Sequence, residues 1–148
     1  MAEEKQVIDS IDRRIIDILQ IDGRISWKDL GERVHLAPSS VADRVRRLEQ
    51  LGIIEGYGVR LDRAVLGRTV RAVVDVALPP GADPSAFEQV LLGRDEVELA
   101  MYVTGPADYS LVVGCEGAEG LDEFIRWLKA TAGVARTESK FVLRPVLG

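Results

Sequence analysis

Apolar residues recur every three or four positions in two short segments near the start of the chain, which is the spacing of an amphipathic helix. The first segment follows Asp9, a residue type that caps helices, and it ends at Asp22-Gly23. The second begins at Ser26 and ends near His35. The apolar positions of the two segments are Ile8, Ile11, Ile15, Ile18, Leu19, Leu30 and Val34. The pattern therefore predicts two short helices that each bury one face.

A third helix is predicted to begin at Pro38, because the missing N–H of proline costs nothing at the first helical position. Its apolar stripe is Val41, Val45 and Leu48, and Gly52 ends it. Three short helices with a tight turn between the second and the third are typical of a helix-turn-helix.

The third helix carries hydroxyl, carboxylate and guanidinium groups away from its apolar stripe. Such a surface fits a DNA major groove, where serines reach bases and phosphates and arginines reach guanine edges or phosphates. The predicted DNA-contacting residues are Ser39, Ser40, Asp43, Arg44, Arg46 and Arg47. Asp43 would accept from a cytosine amino group or pair with Arg47, and Arg46 has the alternative of leaning toward the core edge. An amphipathic helix with a solvated arginine face remains an open alternative.

Beyond Gly52 the periodicity changes. Tyr57, Val59 and Leu61 alternate with glycine or charged residues, which predicts a strand or wing that closes the first domain. Residues 1–62 are therefore interpreted as a winged helix-turn-helix, and residues 63–68 as a linker.

Residues 69–148 are predicted to form a second domain of strands and helices. The predicted elements are strand 70–78, helix 84–92, strand 97–103, strand 109–113, helix 120–131 and strand 134–146. This β-α-β-β-α-β order is that of the ferredoxin-like split unit, so the whole chain is predicted to be of the α+β class. The antiparallel sheet has helices on one face only, and its strands are apolar. A second sheet is expected to cover the other face, which implies a homodimer.

Composition narrows the class of protein. Of the 148 residues, 47% are hydrophobic and 29% charged, as in ordinary globular domains, and the single Cys115 excludes an intramolecular disulfide framework. No apolar run is long enough to cross a membrane, and residues 1–5 are too polar for a signal peptide, so a cytoplasmic protein is expected. The net charge is −5, and neither half is basic. DNA binding would therefore need a local patch presented in several copies.

Several fragments, taken in this order, resemble the Lrp/AsnC family of feast/famine transcription regulators. They are residues 8–15, 22–26, 44–54 and 56–62, and the loop Thr104-Gly105-Pro106-Ala107-Asp108-Tyr109, which is similar to the family's "TG-x-x-D-Y" motif. The resemblance implies a sequence-specific regulator of double-stranded DNA. It also implies dimers formed through the sheets, further assembly commonly into octamers, and an amino acid or related metabolite bound between the C-terminal domains.

The effector-binding residues predicted from this resemblance are Gly105, Ala107, Asp108, Tyr109, Thr137 and Ser139. Backbone N–H groups of a turn can hold an α-carboxylate, and the Asp108 carboxylate can receive an α-ammonium group. The alternative is a tight hairpin that Asp108 merely caps. Pro106-Ala107 replaces the aromatic or polar pair common in relatives, which leaves the effector's identity open.

Catalysis is not predicted. His35, the only histidine, falls in the tight turn without other ligands near it in sequence, and Cys115 is expected to be packed. Siroheme decarboxylases share the two-domain outline but use histidines in the C-terminal half, where this chain has none. No metal or cofactor is therefore predicted. A ligand-sensing module without DNA binding remains the main alternative function.

Overall fold

The computed structural model describes residues 8–146. The prediction that residues 1–5 form no signal peptide lies outside the described residues. The chain divides between Arg60 and Leu61 into two compact units, each with its own hydrophobic core. The described part of the first unit contains α1 (Ser10–Ile21), α2 (Trp27–Val34) and α3 (Pro38–Gln50). The three predicted helices are confirmed.

Local interactions explain where these helices begin and end. Asp9 caps α1 in a reciprocal box, because its carboxylate accepts from the Asp12 N–H at 2.8 Å while the Asp12 carboxylate accepts from the Asp9 N–H at 3.0 Å. The Ser26 hydroxyl caps α2 by accepting from the Asp29 N–H at 3.1 Å. His35 ends α2 with a left-handed φ of 59°, which confirms its predicted role in the tight turn.

The apolar stripes of the three helices meet in one cluster. Its fully or almost fully buried members are Ile15, Leu30, Val34, Val41, Val45 and Leu48. The turn after α2 passes close to this helix at Gly31, where a Cβ atom would lie 2.6 Å from the carbonyl oxygen of Leu36. Glycine is therefore required here by the close approach of two backbone segments.

The strand predicted for the wing is not observed. Residues 51–69 contain neither helix nor strand. The side chains of Tyr57, Val59 and Leu61 are more than half exposed, although they alternate as expected. Alternation produces a strand only where a neighbouring strand pairs with the backbone, and no strand in residues 8–146 pairs with this segment. The Tyr57 hydroxyl instead donates to the Glu49 carboxylate at 2.9 Å.

The second unit has the predicted β-α-β-β-α-β order. Its elements are β1 (Val70–Ala77), α4 (Pro84–Leu91), β2 (Val97–Tyr102), β3 (Tyr109–Cys115), α5 (Gly117–Ala130) and β4 (Arg136–Phe141). The strands lie in the order β2-β3-β1-β4, and each is antiparallel to its neighbours. The last strand is shorter than predicted, since β4 ends at Phe141, which lies opposite Ala72 of β1.

The two faces of this sheet are covered differently. One face packs against α4 and α5, and the main side chains of this core are Val74, Val76, Leu111, Val113, Phe87, Leu121, Phe124 and Leu128. On the opposite face the register brings Val73, Val112, Leu99 and Met101 together. Leu99 and Met101 are 50% and 40% exposed. Charged residues border this apolar strip, including Lys140, which contacts Asp75 at 2.7 Å.

Cys115 lies at the end of β3 and is buried, as predicted. Burial raises the pKa of its thiol, which is therefore protonated at neutral pH. No helix within residues 8–146 is long and apolar enough to cross a membrane.

Two helical glycines give a matched stability test. Gly31→Ala is expected to destabilise the first unit by about 1–3 kcal/mol, because the new methyl group would contact fixed backbone. Gly120→Ala in α5 is expected to stabilise the second unit by about 0.5–1 kcal/mol, because a Cβ atom there would meet its nearest neighbour at 3.5 Å, an ordinary contact. Urea denaturation measures both changes in free energy. Trp27 fluorescence follows the first unit in a Trp127→Phe background, and Trp127 fluorescence follows the second unit in a Trp27→Phe background. Stabilisation by both substitutions would contradict the close approach at Gly31.

Candidate functional site

The surface of α3 opposite its buried stripe carries two serines and an ion pair. Ser39 and Ser40 are exposed in the first turn, where the N-cap residue supplies no side-chain acceptor. Arg46 donates from Nη1 to Oδ1 of Asp43 at 2.8 Å, and both side chains are mainly exposed. Arg46 thus faces solvent rather than the core edge. Asp43 pairs with Arg46 rather than with Arg47, which corrects the pairing considered from the sequence.

The other two arginines of α3 are held by the first turn of α1. Arg44 donates from Nη1 to Oδ2 of Asp9 at 2.6 Å and to Oδ1 of Asp12 at 2.8 Å. Arg47 donates from Nη2 to Oδ2 of Asp12 at 2.5 Å. The Asp12 side chain is completely buried, whereas the Asp9 side chain is 50% exposed. Two residues predicted to contact DNA therefore also join α3 to α1.

These contacts make the surface polar but balanced in charge. The pKa of Asp9 lies below its ordinary value, chiefly because its carboxylate accepts from the Asp12 N–H and then because of Arg44. The pKa of Arg44 is raised by its hydrogen bonds to Asp9 and Asp12. A cleft of about 400 Å³ beside them is lined by Asp9, Asp43, Arg44 and Arg47. Three arginines face three aspartates, so the net field of this surface is weak.

The predicted effector loop is the hairpin connection between β2 and β3. The Val103 N–H donates to the carbonyl oxygen of Asp108 at 2.9 Å, which closes the loop. Gly105 has a φ of 119°, a conformation that requires glycine. Oδ2 of Asp108 accepts from the Leu78 N–H at 2.7 Å, so this carboxylate ties the loop to the end of β1. The capping role considered for Asp108 is therefore observed, and Oδ1 has no hydrogen-bond donor among the described residues.

The remaining predicted effector residues lie in different surroundings. Thr137 is half-buried on β4 opposite Val76, and Ser139 is exposed further along the same edge strand. Tyr109 is buried in the core, where its hydroxyl donates to the Glu88 carboxylate at 2.8 Å. Burial and then this carboxylate raise the pKa of Tyr109 to about 12. The structure groups Gly105, Ala107, Asp108 and Thr137 at one end of the sheet, but it does not bring Tyr109 to their surface.

Sequence reasoning missed Arg136 at this end of the sheet. Its Nη2 donates to the carbonyl oxygen of Pro106 at 2.8 Å, so a guanidinium group lies against the effector loop. The only signal that could have identified Arg136 was its position as a basic residue near the predicted start of the last strand. The pairing of Asp9 and Asp12 with α3 was also missed, although their spacing had identified the helix cap.

Within the described residues, no group of three or more histidine, cysteine, aspartate or glutamate side chains is placed to bind a metal ion.

A helix-turn-helix with an exposed third helix is the architecture of many DNA-binding domains, and here it stands in one chain with a four-stranded α+β unit. Residues 8–49 match the AsnC-type helix-turn-helix domain, and residues 71–147 match the Lrp/AsnC ligand binding domain. The chain belongs to the Lrp/AsnC family of transcriptional regulators.

Two similar transcriptional regulators agree with this assignment. The chain is 35% identical over 118 residues to the HTH-type transcriptional regulator LrpC of Bacillus subtilis, covering 80% of this chain and 81% of that protein. It is 35% identical over 143 residues to the Bkd operon transcriptional regulator of Pseudomonas aeruginosa, covering 95% of this chain and 94% of that protein. Family and relatives are transcriptional regulators, which are not enzymes.

Solved structures of two relatives contain L-methionine. The feast or famine regulatory protein of M. tuberculosis, complexed with L-methionine, has a TM-score of 0.87 and 32% identity, covering 95% of each chain. A transcriptional regulator of Neisseria meningitidis, also complexed with L-methionine, has a TM-score of 0.90 and 28% identity, covering 95% of this chain and 93% of that one.

The different environments of two arginines on α3 give a second stability test. Arg44→Ala is expected to lower the free energy of unfolding of the first unit by about 1.5–3 kcal/mol, because it removes a charged donor from the buried Asp12. Arg46→Ala is the matched control and is expected to change it by less than about 0.5 kcal/mol, because its ion pair is exposed. Urea denaturation followed by Trp27 fluorescence, in a Trp127→Phe background, measures both. Equal free energies of unfolding in the Arg44→Ala and Arg46→Ala variants would contradict the structural role of Arg44.

Proposed function

We propose that this chain regulates transcription by binding specific sequences in double-stranded DNA through α3, and that an amino acid or related metabolite changes its assembly or DNA affinity. The observation that carries this proposal is the presence of both family domains in one chain, the first of which presents an exposed face of α3. Access to DNA would require a cytoplasmic location.

The proposed DNA contacts divide into two groups. Ser39, Ser40, Asp43 and Arg46 are the exposed groups that would reach base edges or phosphates in the major groove. Arg44 and Arg47 lie beside them, held by acids of α1, and their position suits contacts to the phosphate backbone.

The proposed effector site is the end of the sheet around residues 105–108. The backbone N–H groups of the loop and the guanidinium group of Arg136 suit an α-carboxylate, and Oδ1 of Asp108 suits an α-ammonium group. Thr137 and Ser139 would add hydroxyl groups from β4. Tyr109 would act from the core by fixing the strand next to the loop. The L-methionine complexes of two relatives support an amino acid as the ligand class.

We also propose that the chain forms homodimers through the open face of the sheet, and from these a higher oligomer such as an octamer. The apolar strip formed by Val73, Val112, Leu99 and Met101 supports a sheet-to-sheet contact, because no helix among the described residues of its own unit covers it. In this scheme residues 1–62 bind DNA, residues 63–68 connect the domains, and residues 69–148 assemble and bind the effector.

A ligand-sensing module that does not bind DNA is the second candidate. The observation that favours it is the charge balance on α3, where arginines meet an equal number of aspartates. The exposed Arg46 and serines favour the DNA-binding function instead.

DNA binding is tested by enriching duplexes from a random-sequence pool with the unmodified protein. We expect one sequence pattern to be enriched. We expect Arg46→Ala to weaken binding to it about tenfold or more, the usual effect of losing a base contact, with a smaller effect on poly(dI-dC). Fluorescence anisotropy at fixed salt measures both affinities, and Arg126→Ala on α5 is the control. Failure to enrich any pattern at low salt would support the ligand-sensing module.

Effector binding is tested by a thermal-shift screen of the twenty amino acids, because a ligand that binds only the folded state raises the melting temperature. At 100 times its dissociation constant a ligand adds about 2.7 kcal/mol, which corresponds to a shift of several degrees. Asp108→Asn keeps an acceptor for the Leu78 N–H but removes the negative charge, so the shift should disappear. Asp122→Asn on α5 should leave it unchanged. An undiminished shift in the Asp108 variant would place the site elsewhere.

A further inference from the structure

The Asp12 carboxylate is a completely buried charge at the base of the proposed DNA-binding surface. It accepts three hydrogen bonds, from the Asp9 N–H at 3.0 Å, from Arg44 at 2.8 Å and from Arg47 at 2.5 Å. A buried carboxylate is tolerated only when paired and hydrogen-bonded. Asp12 therefore requires the two guanidinium groups to stay where they are.

The way in which Arg44 is held leaves part of it available. Both of its contacts to aspartate use Nη1. A guanidinium group has five N–H donors in a fixed plane, and those on Nε and Nη2 have no acceptor among residues 8–146. The side chain is 29% exposed and lines the cleft beside Asp9 and Asp43, so the group is fixed at Nη1 by Asp12 while the side chain stays open to a ligand in that cleft. This arrangement reduces the conformational entropy that Arg44 would lose on binding.

Asp9 and Asp12 differ in their relation to a DNA backbone. Asp12 has no exposed surface, so a phosphate group has no direct access to its carboxylate. Asp9 is half exposed and holds the same nitrogen of Arg44 from the solvent side. A phosphate group that approached Arg44 would compete with Asp9 but not with Asp12.

We infer that Asp12 is a positioning residue for DNA recognition. It fixes Arg44 and Arg47 so that they contact phosphates with the protein in a single register along the duplex. The inference rests on the proposed function. Phosphate contacts carry no sequence information themselves, but they fix the register in which the exposed side chains of α3 meet the bases. Asp12 therefore contributes to specificity, while its negative charge slightly opposes general attraction to DNA.

The experiment compares affinity for a duplex enriched by the unmodified protein with affinity for poly(dI-dC), at one salt concentration. Asp12→Asn removes the charge that holds both arginines. Asp12→Glu keeps the charge and moves the carboxylate by one methylene group, and it should fold, because glutamate is favoured at this position of a capping box. Asp17→Asn, on the exposed side of α1, is a control that removes one negative charge without touching an α3 arginine. Thermal unfolding verifies that each variant is folded.

For Asp12→Asn we expect affinity for the enriched duplex to fall about tenfold, the size of one lost directed contact, while affinity for poly(dI-dC) stays equal or rises. For Asp12→Glu we expect a smaller loss for the enriched duplex and unchanged binding to poly(dI-dC). Asp17→Asn should strengthen both equally. A purely structural role would lower both affinities together and would overturn the inference.

An unchanged ratio of the two affinities in Asp12→Glu would also overturn the inference, even if Asp12→Asn did not fold. If the unmodified protein enriches no duplex at all, the proposed function fails, and the inference fails with it. If it enriches a duplex and Asp12 variants keep the wild-type ratio, only the inference fails.

Discussion

A buried negative charge determines how the first unit is arranged. Asp12 lies in the first turn of α1, fully removed from solvent, and it is stabilised by a backbone N–H and two arginines from α3. Because the cost of an unpaired buried carboxylate is several kcal/mol, α1 and α3 cannot shift past each other without losing these partners. Apolar packing in the cluster that contains Ile15, Val41 and Val45 tolerates small displacements better than this network does. The charge therefore sets which way the exposed polar side of α3 points relative to α1.

The second unit also contains a buried carboxylate that is paired with arginines. Glu98 on β2 is almost fully buried, with 8% of its side chain exposed, and it pairs with Arg63 and with Nε of Arg71 at 2.9 Å. Gly114 on the next strand makes room for it, since a Cβ atom there would lie 2.6 Å from Oε1 of Glu98. Arg63 precedes β1 within the second unit, so this carboxylate fastens the segment before β1 onto the sheet. In both units a buried acid joins segments that are distant in sequence.

How much of the structure the sequence predicts depends on how far apart in the chain the interacting residues are. Periodicity, local caps and turn residues depend on neighbours only a few positions apart, and they correctly predicted α1, α2, α3 and the order of the six elements of the second unit. The wing strand failed because alternation at Tyr57, Val59 and Leu61 says nothing about a pairing partner. The ion pairs of Arg44 join residues 32 and 35 positions apart, and no local pattern encodes them. Periodicity identified the polar face of α3 but not which arginines were already engaged.

The charge balance on α3 limits what one copy of the first unit can do. Long-range attraction to DNA depends on net positive charge, and here arginines are matched by aspartates. A single copy must therefore gain affinity from directed contacts, which favours specificity over non-specific binding. In the proposed dimer, two copies with recognition helices about 34 Å apart reach successive major grooves, and the second copy binds at a high effective concentration. An effector that changed the assembly of the second units would thereby change DNA affinity strongly, without contacting α3 at all.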